Sequence, residues 1–352
     1  MQYISKDNLF RLLDALKADY EVFVPVKKDE QRFYKRYTRP SDDIVIGEVR
    51  AFEPLKAFFT RAREVVAEGF KAGAPHSADR PDALVGVKAC DLKGFKVQDF
   101  VFKDHDYKDP FYIKNRQENL IISADCTCSL QSCFCLAQDV QPYPQENFDI
   151  NLSEVTRLPS DKRGGQEDGF VVEAGSKRGQ ALLDKHSSLF EEARKEFISG
   201  KDNQRARIVK EVEKNIKENG VPHQGLYKGI IEKKYESALW KDEAKACVEC
   251  AACNTVCPTC HCFLLYDQKD ENRMARLRSW DSCMLKDFAQ VAGGANPRAR
   301  LWMRLRNRFE KKFDFFPKTA DIFACTGCGR CILACPAKID IRKVLKRLVS
   351  DG

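Results

Sequence analysis

Apolar and polar positions change rhythm three times along the chain. Val22-Phe23-Val24-Pro25-Val26 and Asp43-Ile44-Val45-Ile46-Gly47-Glu48-Val49 have the short, β-branched character of strands. A helix is expected to begin at Glu53-Pro54, with proline in the permitted first turn, and to run to about Ala67. Ala83-Leu84-Val85-Gly86-Val87-Lys88-Ala89 and Leu120-Ile121-Ile122-Ser123-Ala124 are nearly continuous apolar runs. That pattern suits strands buried on both faces of a largely parallel sheet. Phe170-Val171-Val172-Glu173 adds another strand, and residues 74–81 and 159–165 have the composition of loops. From about Ala181 to Asn219 the chain turns charged and helical, and Gly220-Val221-Pro222 marks a boundary. The pattern predicts an α/β (or α+β) domain over residues 1–219 and a second domain over 220–352.

The second domain carries a repeat. Cys247-Val-Glu-Cys250-Ala-Ala-Cys253-Asn-Thr-Val-Cys257-Pro258 returns as Cys325-Thr-Gly-Cys328-Gly-Arg-Cys331-Ile-Leu-Ala-Cys335-Pro336. Each copy has the ligand spacing of a [4Fe-4S] cluster. Three thiolates two residues apart on a tight turn reach three irons of one cubane, and the fourth cysteine lies on the helix that follows. In two-cluster ferredoxins the fourth cysteine of each run serves the other cluster. That rule groups Cys247, Cys250, Cys253 and Cys335 for one cluster, and Cys325, Cys328, Cys331 and Cys257 for the second. Structural zinc is the alternative, but zinc sites usually pair two C-x2-C knuckles across a dozen or more residues. The roughly seventy residues between the runs read as helical. We therefore expect an α-helical ferredoxin-type domain rather than a compact β-α-β one.

Five more cysteines form a second constellation. Cys90 and Cys126 end the two apolar runs, at the carboxyl edge where open α/β sheets place ligands. Cys126-Thr-Cys128-Ser-Leu-Gln-Ser-Cys133-Phe-Cys135 curls over the same edge. Cys90, Cys126, Cys133 and Cys135 are the expected ligands of a third [4Fe-4S] cluster, with Cys128 the spare; zinc or ordinary buried thiols are the alternatives. Cys260, His261, Cys262 and Cys283 are a third group, read as shielding the clusters, as ligands of another metal, or as a redox-active patch.

The net charge of +8 is concentrated in residues 298–312, where Arg298, Arg300, Arg304, Arg306, Arg308, Lys311 and Lys312 alternate with Trp302, Met303, Leu305 and Phe309. This segment reads as an amphipathic helix with a solvated basic face, or as a docking face for an acidic partner. Nucleic acid is not expected, because no recognition motif accompanies the charge. Arg330, inside the second run, is positioned to favour the reduced form of a cluster, an effect that surface exposure would blunt. No apolar run approaches the length of a membrane span, and the start Met1-Gln2-Tyr3-Ile4-Ser5-Lys6-Asp7 is not that of a secretory signal. Sixteen cysteines in such a chain point to a reducing, cytoplasmic setting and to metal ligation. Dinucleotide, P-loop and nucleophile-elbow motifs are absent, so no catalytic residue is assigned.

Gly86-Val87-Lys88-Ala89-Cys90-Asp91-Leu92, Cys126 with Cys133-Phe134-Cys135, and Cys257-Pro258-Thr259-Cys260-His261-Cys262-Phe263 occur together with Arg278-Ser279-Trp280-Asp281-Ser282-Cys283-Met284 and Ala292-Gly293-Gly294-Ala295-Asn296-Pro297-Arg298. In combination they resemble the iron–sulfur beta subunit of soluble sulfhydrogenases and the similar A subunit of anaerobic sulfite reductases. Cys128 departs from that pattern. The resemblance implies an oxygen-sensitive electron relay between an NAD(P)H-linked flavoprotein subunit and a catalytic subunit of hydrogenase or sulfite reductase type. The eight cysteines of the two runs carry over as cluster ligands. The rival expectation is an enzyme whose own first domain binds a flavin or substrate at the Cys90/Cys126 edge.

Overall fold

The computed structural model describes residues 1–69, 71–73, 80–156, 168–270 and 273–350, so most of the expected 74–81 loop and all of the 159–165 loop lie outside it. The described strands are β1 (Gln2–Ser5), β2 (Glu21–Lys28), β3 (Gln31–Arg36), β4 (Arg63–Glu68), β5 (Lys71–Ala72), β6 (Asp82–Val87), β7 (Leu120–Ala124), β8 (Ile150–Thr156), β9 (Asp168–Ala174), β10 (Glu191–Glu192), β11 (Phe263–Asp270) and β12 (Arg273–Trp280). They form an eight-stranded sheet, ordered β10-β1-β9-β8-β7-β6-β2-β3, and a four-stranded sheet, β11-β12-β4-β5.

The middle of the large sheet, β2-β6-β7-β8, is parallel, as the continuous apolar runs required. Every residue of β7 is buried, and so are five of the six in β6. One face packs on the helix Lys6–Leu16 through Leu9, Leu12, Leu13 and Leu16. The other packs Leu84, Val87 and Ile121 against Leu55, Phe59, Phe95 and Tyr112. Because β6 and β7 are parallel neighbours, Cys90 and Cys126 leave the same edge of the sheet.

Three expectations need correction. The segment from Glu53 forms only a single 3-10 turn, Leu55–Phe58, after which the chain becomes β4. Val65 and Val66 there favour the extended chain, and β12 offers a pairing partner. Residues 43–49 make one bridge, Val26↔Ile44, instead of a strand. Their next backbone acceptors are used elsewhere: Ile46 O accepts Lys88 Nζ at 2.7 Å, and Gly47 O accepts Thr127 N at 2.8 Å. Finally, the stretch between the cysteine runs is not all helical. It begins with the β11–β12 hairpin, which pairs with β4 of the first half, and only then enters the helix Leu301–Glu310.

The C-terminal half gathers short helices around Trp240, Phe309, Phe313, Val344 and Leu345, with Phe134 and Ala137 of the first half in the same core. Among the described residues no helix is long and apolar enough to cross a membrane.

Candidate metal centres

The two cysteine runs fold into the same loop. Residues 249 and 251 of the first, and 327 and 329 of the second, all take positive φ, between 57° and 71°. The left-handed turns aim the intervening thiols inward. Glu249 donates its backbone N–H to the Cys247 sulfur, and Gly327 does the same for Cys325. A one-turn helix follows each loop, Ala252–Thr255 and Arg330–Leu333, and the fourth cysteine lies just beyond that helix rather than on it. In the second run both left-handed residues are glycine for an additional reason. A Cβ on Gly327 would lie 2.5 Å from Cys135 Cα, and one on Gly329 2.2 Å from Ser132 O. The loop is pressed against the Cys133–Cys135 segment, and Phe134 N donates to Gly327 O at 2.9 Å.

Cys247, Cys250, Cys253 and Cys335 line one apolar cavity, with Met284, Leu305, Phe309 and Ile341. That is the grouping expected from the ferredoxin rule. Cys331 of the other set reaches the same cavity. Cys257, Cys325, Cys328 and Cys331 are electrostatic neighbours: burial pushes the Cys331 thiol up to about 12, with Cys328, Cys325 and Cys257 adding to the rise. A second cavity, at the carboxyl edge of the large sheet, is lined by Cys90, Cys126, Cys128, Cys133 and Cys135, and also by Cys328.

The loop over this edge is held by the helix Lys195–Asn219. Arg205 Nε bonds Asp125 Oδ2 at 2.7 Å, Glu211 accepts Ser129 N at 3.0 Å, and Asn215 donates to Leu130 O at 3.1 Å. Ile208 and Val212 of the same helix complete the cavity wall.

These residues suit an iron–sulfur core. The thiols ring cavities with largely apolar walls. Arg50, which lines the edge cavity, has a buried Nη2 with no hydrogen-bond acceptor, and Arg330 has a buried Nη1 in the same condition. A cluster's sulfides are acceptors, and its net negative charge matches the guanidinium ions.

A family described as 4Fe-4S dicluster domain matches residues 246–339. That segment is a dicluster domain. The whole chain is in addition similar to "Sulfhydrogenase 2 subunit beta" of Pyrococcus furiosus, 29% identical over 349 residues that cover 98% of each chain. The resemblance read from the motifs is therefore met along nearly the full length.

Inside the dicluster domain, the basic segment overturns the expectation of a solvated face. Arg304, Arg306, Arg308 and Lys312 are all buried. Arg304 bonds Glu249 at 2.6 Å, and Arg306 stacks on Tyr235 with its guanidinium carbon 3.4 Å from the ring centroid. Arg308 bonds Asn254 Oδ1 at 3.1 Å. Burial opposes its charge, but the thiols of Cys253, Cys331, Cys260 and Cys257 hold it firmly protonated. The helix ends in a π-helical turn, Lys311–Phe315, a form frequent at functional sites. From it Lys312 Nζ donates to Cys257 Sγ at 3.3 Å and Thr259 Oγ1 at 2.9 Å.

Arg330 is likewise fully buried, where surface exposure was expected. It pairs with Asp91 at 2.7 Å and bonds Ala51 O at 2.9 Å, tying the second run to the turn that carries Cys90. Sequence reasoning missed Arg50, Lys88, Asp91 and the 195–219 helix as parts of the edge site. The one available signal was Lys88 and Asp91 flanking Cys90, charged residues at the end of an apolar run.

Proposed function

We propose that the chain is an electron-transfer iron–sulfur subunit of a cytoplasmic multisubunit oxidoreductase. It relays electrons between an NAD(P)H-linked flavoprotein subunit and a catalytic subunit of hydrogenase or sulfite reductase type. The observation that carries this reading is the sharing of cysteines between neighbouring sites. Cys328 of the second run lines the edge cavity, and Cys331 of the same run lines the first cavity. With clusters on Cys90/Cys126/Cys133/Cys135, Cys325/Cys328/Cys331/Cys257 and Cys247/Cys250/Cys253/Cys335, the second would stand between the other two. Cys250, the exposed cysteine of the sixteen, puts the last cluster next to the surface, where a partner can dock. All sixteen cysteines are free, which suits a reducing compartment.

Bound clusters supply one-electron redox chemistry. The chain's own residues position the thiols, exclude water and place cations beside them. The rival reading, a flavin or substrate at the Cys90/Cys126 edge, is disfavoured by size. The cavity there is about 30 Å³, whereas small-molecule sites run to roughly 300–1,000 Å³.

The test is anaerobic purification of the isolated chain beside the complex captured through a tag on it. We expect the isolated chain to lack flavin absorbance and to stay oxidised with NADPH or NADH. In the complex, the same nucleotides should produce the EPR signals of its reduced clusters. Stoichiometric flavin on the isolated chain, reducible by nucleotide without partners, would replace the relay with the enzyme reading.

A further inference from the structure

Cys262 and Cys283 belong to neither cysteine run, and the β11–β12 hairpin brings them together. Phe263 pairs with Trp280 at its base, and Asp281 N closes that base on Cys262 O at 2.9 Å. The turn that follows is pinned by Ser282, whose hydroxyl oxygen accepts Asn254 Nδ2 at 2.9 Å and Met284 N at 3.2 Å. The two thiols are hydrogen-bonded to each other, and the Cys262 sulfur also accepts the Cys283 backbone N–H. Both cysteines are free; Cys283 is buried and Cys262 half-buried.

The surroundings set a thiolate at one sulfur and a thiol at the other. Asn254 Oδ1 accepts Arg308 Nε at 3.1 Å, which turns its amide nitrogen toward Cys283 Sγ at 3.2 Å. The bond from Cys262, then Lys311, Asn254 and Arg308, bring Cys283 down to about 6 against its burial. Cys262, as the donor, is held up. A thiolate is the reactive form of cysteine, and a second sulfur in contact with it is the partner a disulfide needs.

The pair also adjoins both ligand sets of the dicluster domain. Asn254 spans from Cys283 Sγ to Cys253 Sγ, which lies 3.9 Å from its Oδ1. Cys260, just before His261 and Cys262, is hydrogen-bonded to Cys257. The cavity beside the pair is about 20 Å³, room for little more than a water, so each sulfur has the other as its partner.

We infer that Cys262 and Cys283 are a redox-active dithiol that exchanges electrons with the clusters of the two runs. Counted from the neutral dithiol, two S–H bonds break, one S–S bond forms and two protons pass to solvent. The two electrons released go singly to oxidised [4Fe-4S] clusters on the neighbouring runs, and reduction of the disulfide reverses these steps. Disulfides in reducing compartments are usually of this transient kind. The inference rests on clusters in the dicluster domain, but not on the three-site order or on the partners of the relay.

The experiment poises anaerobically purified holoprotein at a series of potentials, quenches it in acid and alkylates the free thiols before mass spectrometry. A Cys262–Cys283 crosslink should appear as the potential rises, follow a two-electron curve and vanish when the potential is lowered again. In a reductive titration, the wild type should take up about two electrons per chain more than Cys262→Ser/Cys283→Ser. Iron, sulfide and the EPR signals of the dicluster domain should be the same in both. Separate alkylation of the two cysteines at every potential would overturn the inference. So would loss of iron from the variant, which would make these cysteines metal ligands instead. If the double variant is insoluble, Cys262→Ser alone should abolish the extra electrons, and their retention would overturn the assignment. Alkylation reads the pair without NAD(P)H or partner subunits, so failure of the relay and failure of the pair are distinguishable.

Discussion

At the scale of single residues, the chemistry rests on cations buried beside thiols. Arg308 faces cysteines of both runs, and Lys312 bonds Cys257 directly. A positive charge stabilises the more negative, reduced cluster, so removing it makes reduction harder. We predict that Arg308→Met lowers the midpoint potential of at least one dicluster-domain cluster by on the order of 60 mV, the one-electron equivalent of a tenfold change in equilibrium. An EPR-monitored redox titration reads this; unchanged potentials would show that the guanidinium serves packing alone. The thiols make a second prediction. Burial pushes Cys126 and Cys331 up to about 12 and Cys325 up to about 11, so without iron they are protonated at neutral pH. Ligation as thiolates releases those protons, and cluster assembly is therefore favoured as pH rises. Reconstitution of the iron-free chain with iron and sulfide should be more complete at about pH 8.5 than at about pH 7. An equal or greater yield at the lower pH would contradict the protonated starting state.

At the scale of elements, the two cysteine loops share a backbone but not a neighbourhood. Ala251 holds φ +60° where the second run has Gly329 at +71°. An L-residue in the left-handed region costs roughly 1–2 kcal/mol, so Ala251→Gly should stabilise the protein by about 1 kcal/mol. The reverse change is severe. Gly327→Ala combines φ +64° with a Cβ 2.5 Å from Cys135 Cα. It should cost about 1–3 kcal/mol from backbone strain alone, and it should loosen the edge site as well as its own. Thermal bleaching of the cluster absorbance, followed for both variants, checks the opposite signs. The repeat made the matching loops visible in the sequence; which loop leans on another cysteine segment was not visible, because that contact joins residues nearly two hundred positions apart.

At the scale of the molecule, the two halves are stitched through the sites. The β11–β12 hairpin pairs with β4, Arg278 is buried against Glu64 and Asp109, and Lys56 bonds the carbonyls of Asn254 and Cys260. Arg330 reaches Asp91 and Arg50 reaches Cys328 O. A fragment of residues 220–352 would lose every one of these partners and leave Arg278 and Arg330 without their carboxylates. We expect that fragment to be poor in iron and prone to aggregate when expressed alone. Recovery of a soluble fragment with about eight irons would show that the dicluster domain stands by itself.

Much was legible before any tertiary structure. Local spacing alone singled out the eight repeat cysteines as expected ligands, because a cubane demands ligands at short fixed intervals on a tight turn. Continuous apolar runs marked β6 and β7, because a strand covered on both faces admits no polar alternation. Other features depended on distant partners. The same local sequence at residues 53–67 and 43–49 was redirected by pairing with β12 and by acceptors claimed from the cysteine edge. Most of all, the direction of the basic helix was decided by what lay beneath it. A row of arginines has the periodicity of a solvated face whether it meets water or thiols, and only the folded chain brings Arg308 and Lys312 to the cysteines. A charge is buried where an opposite charge awaits it, and that partner is supplied by the fold.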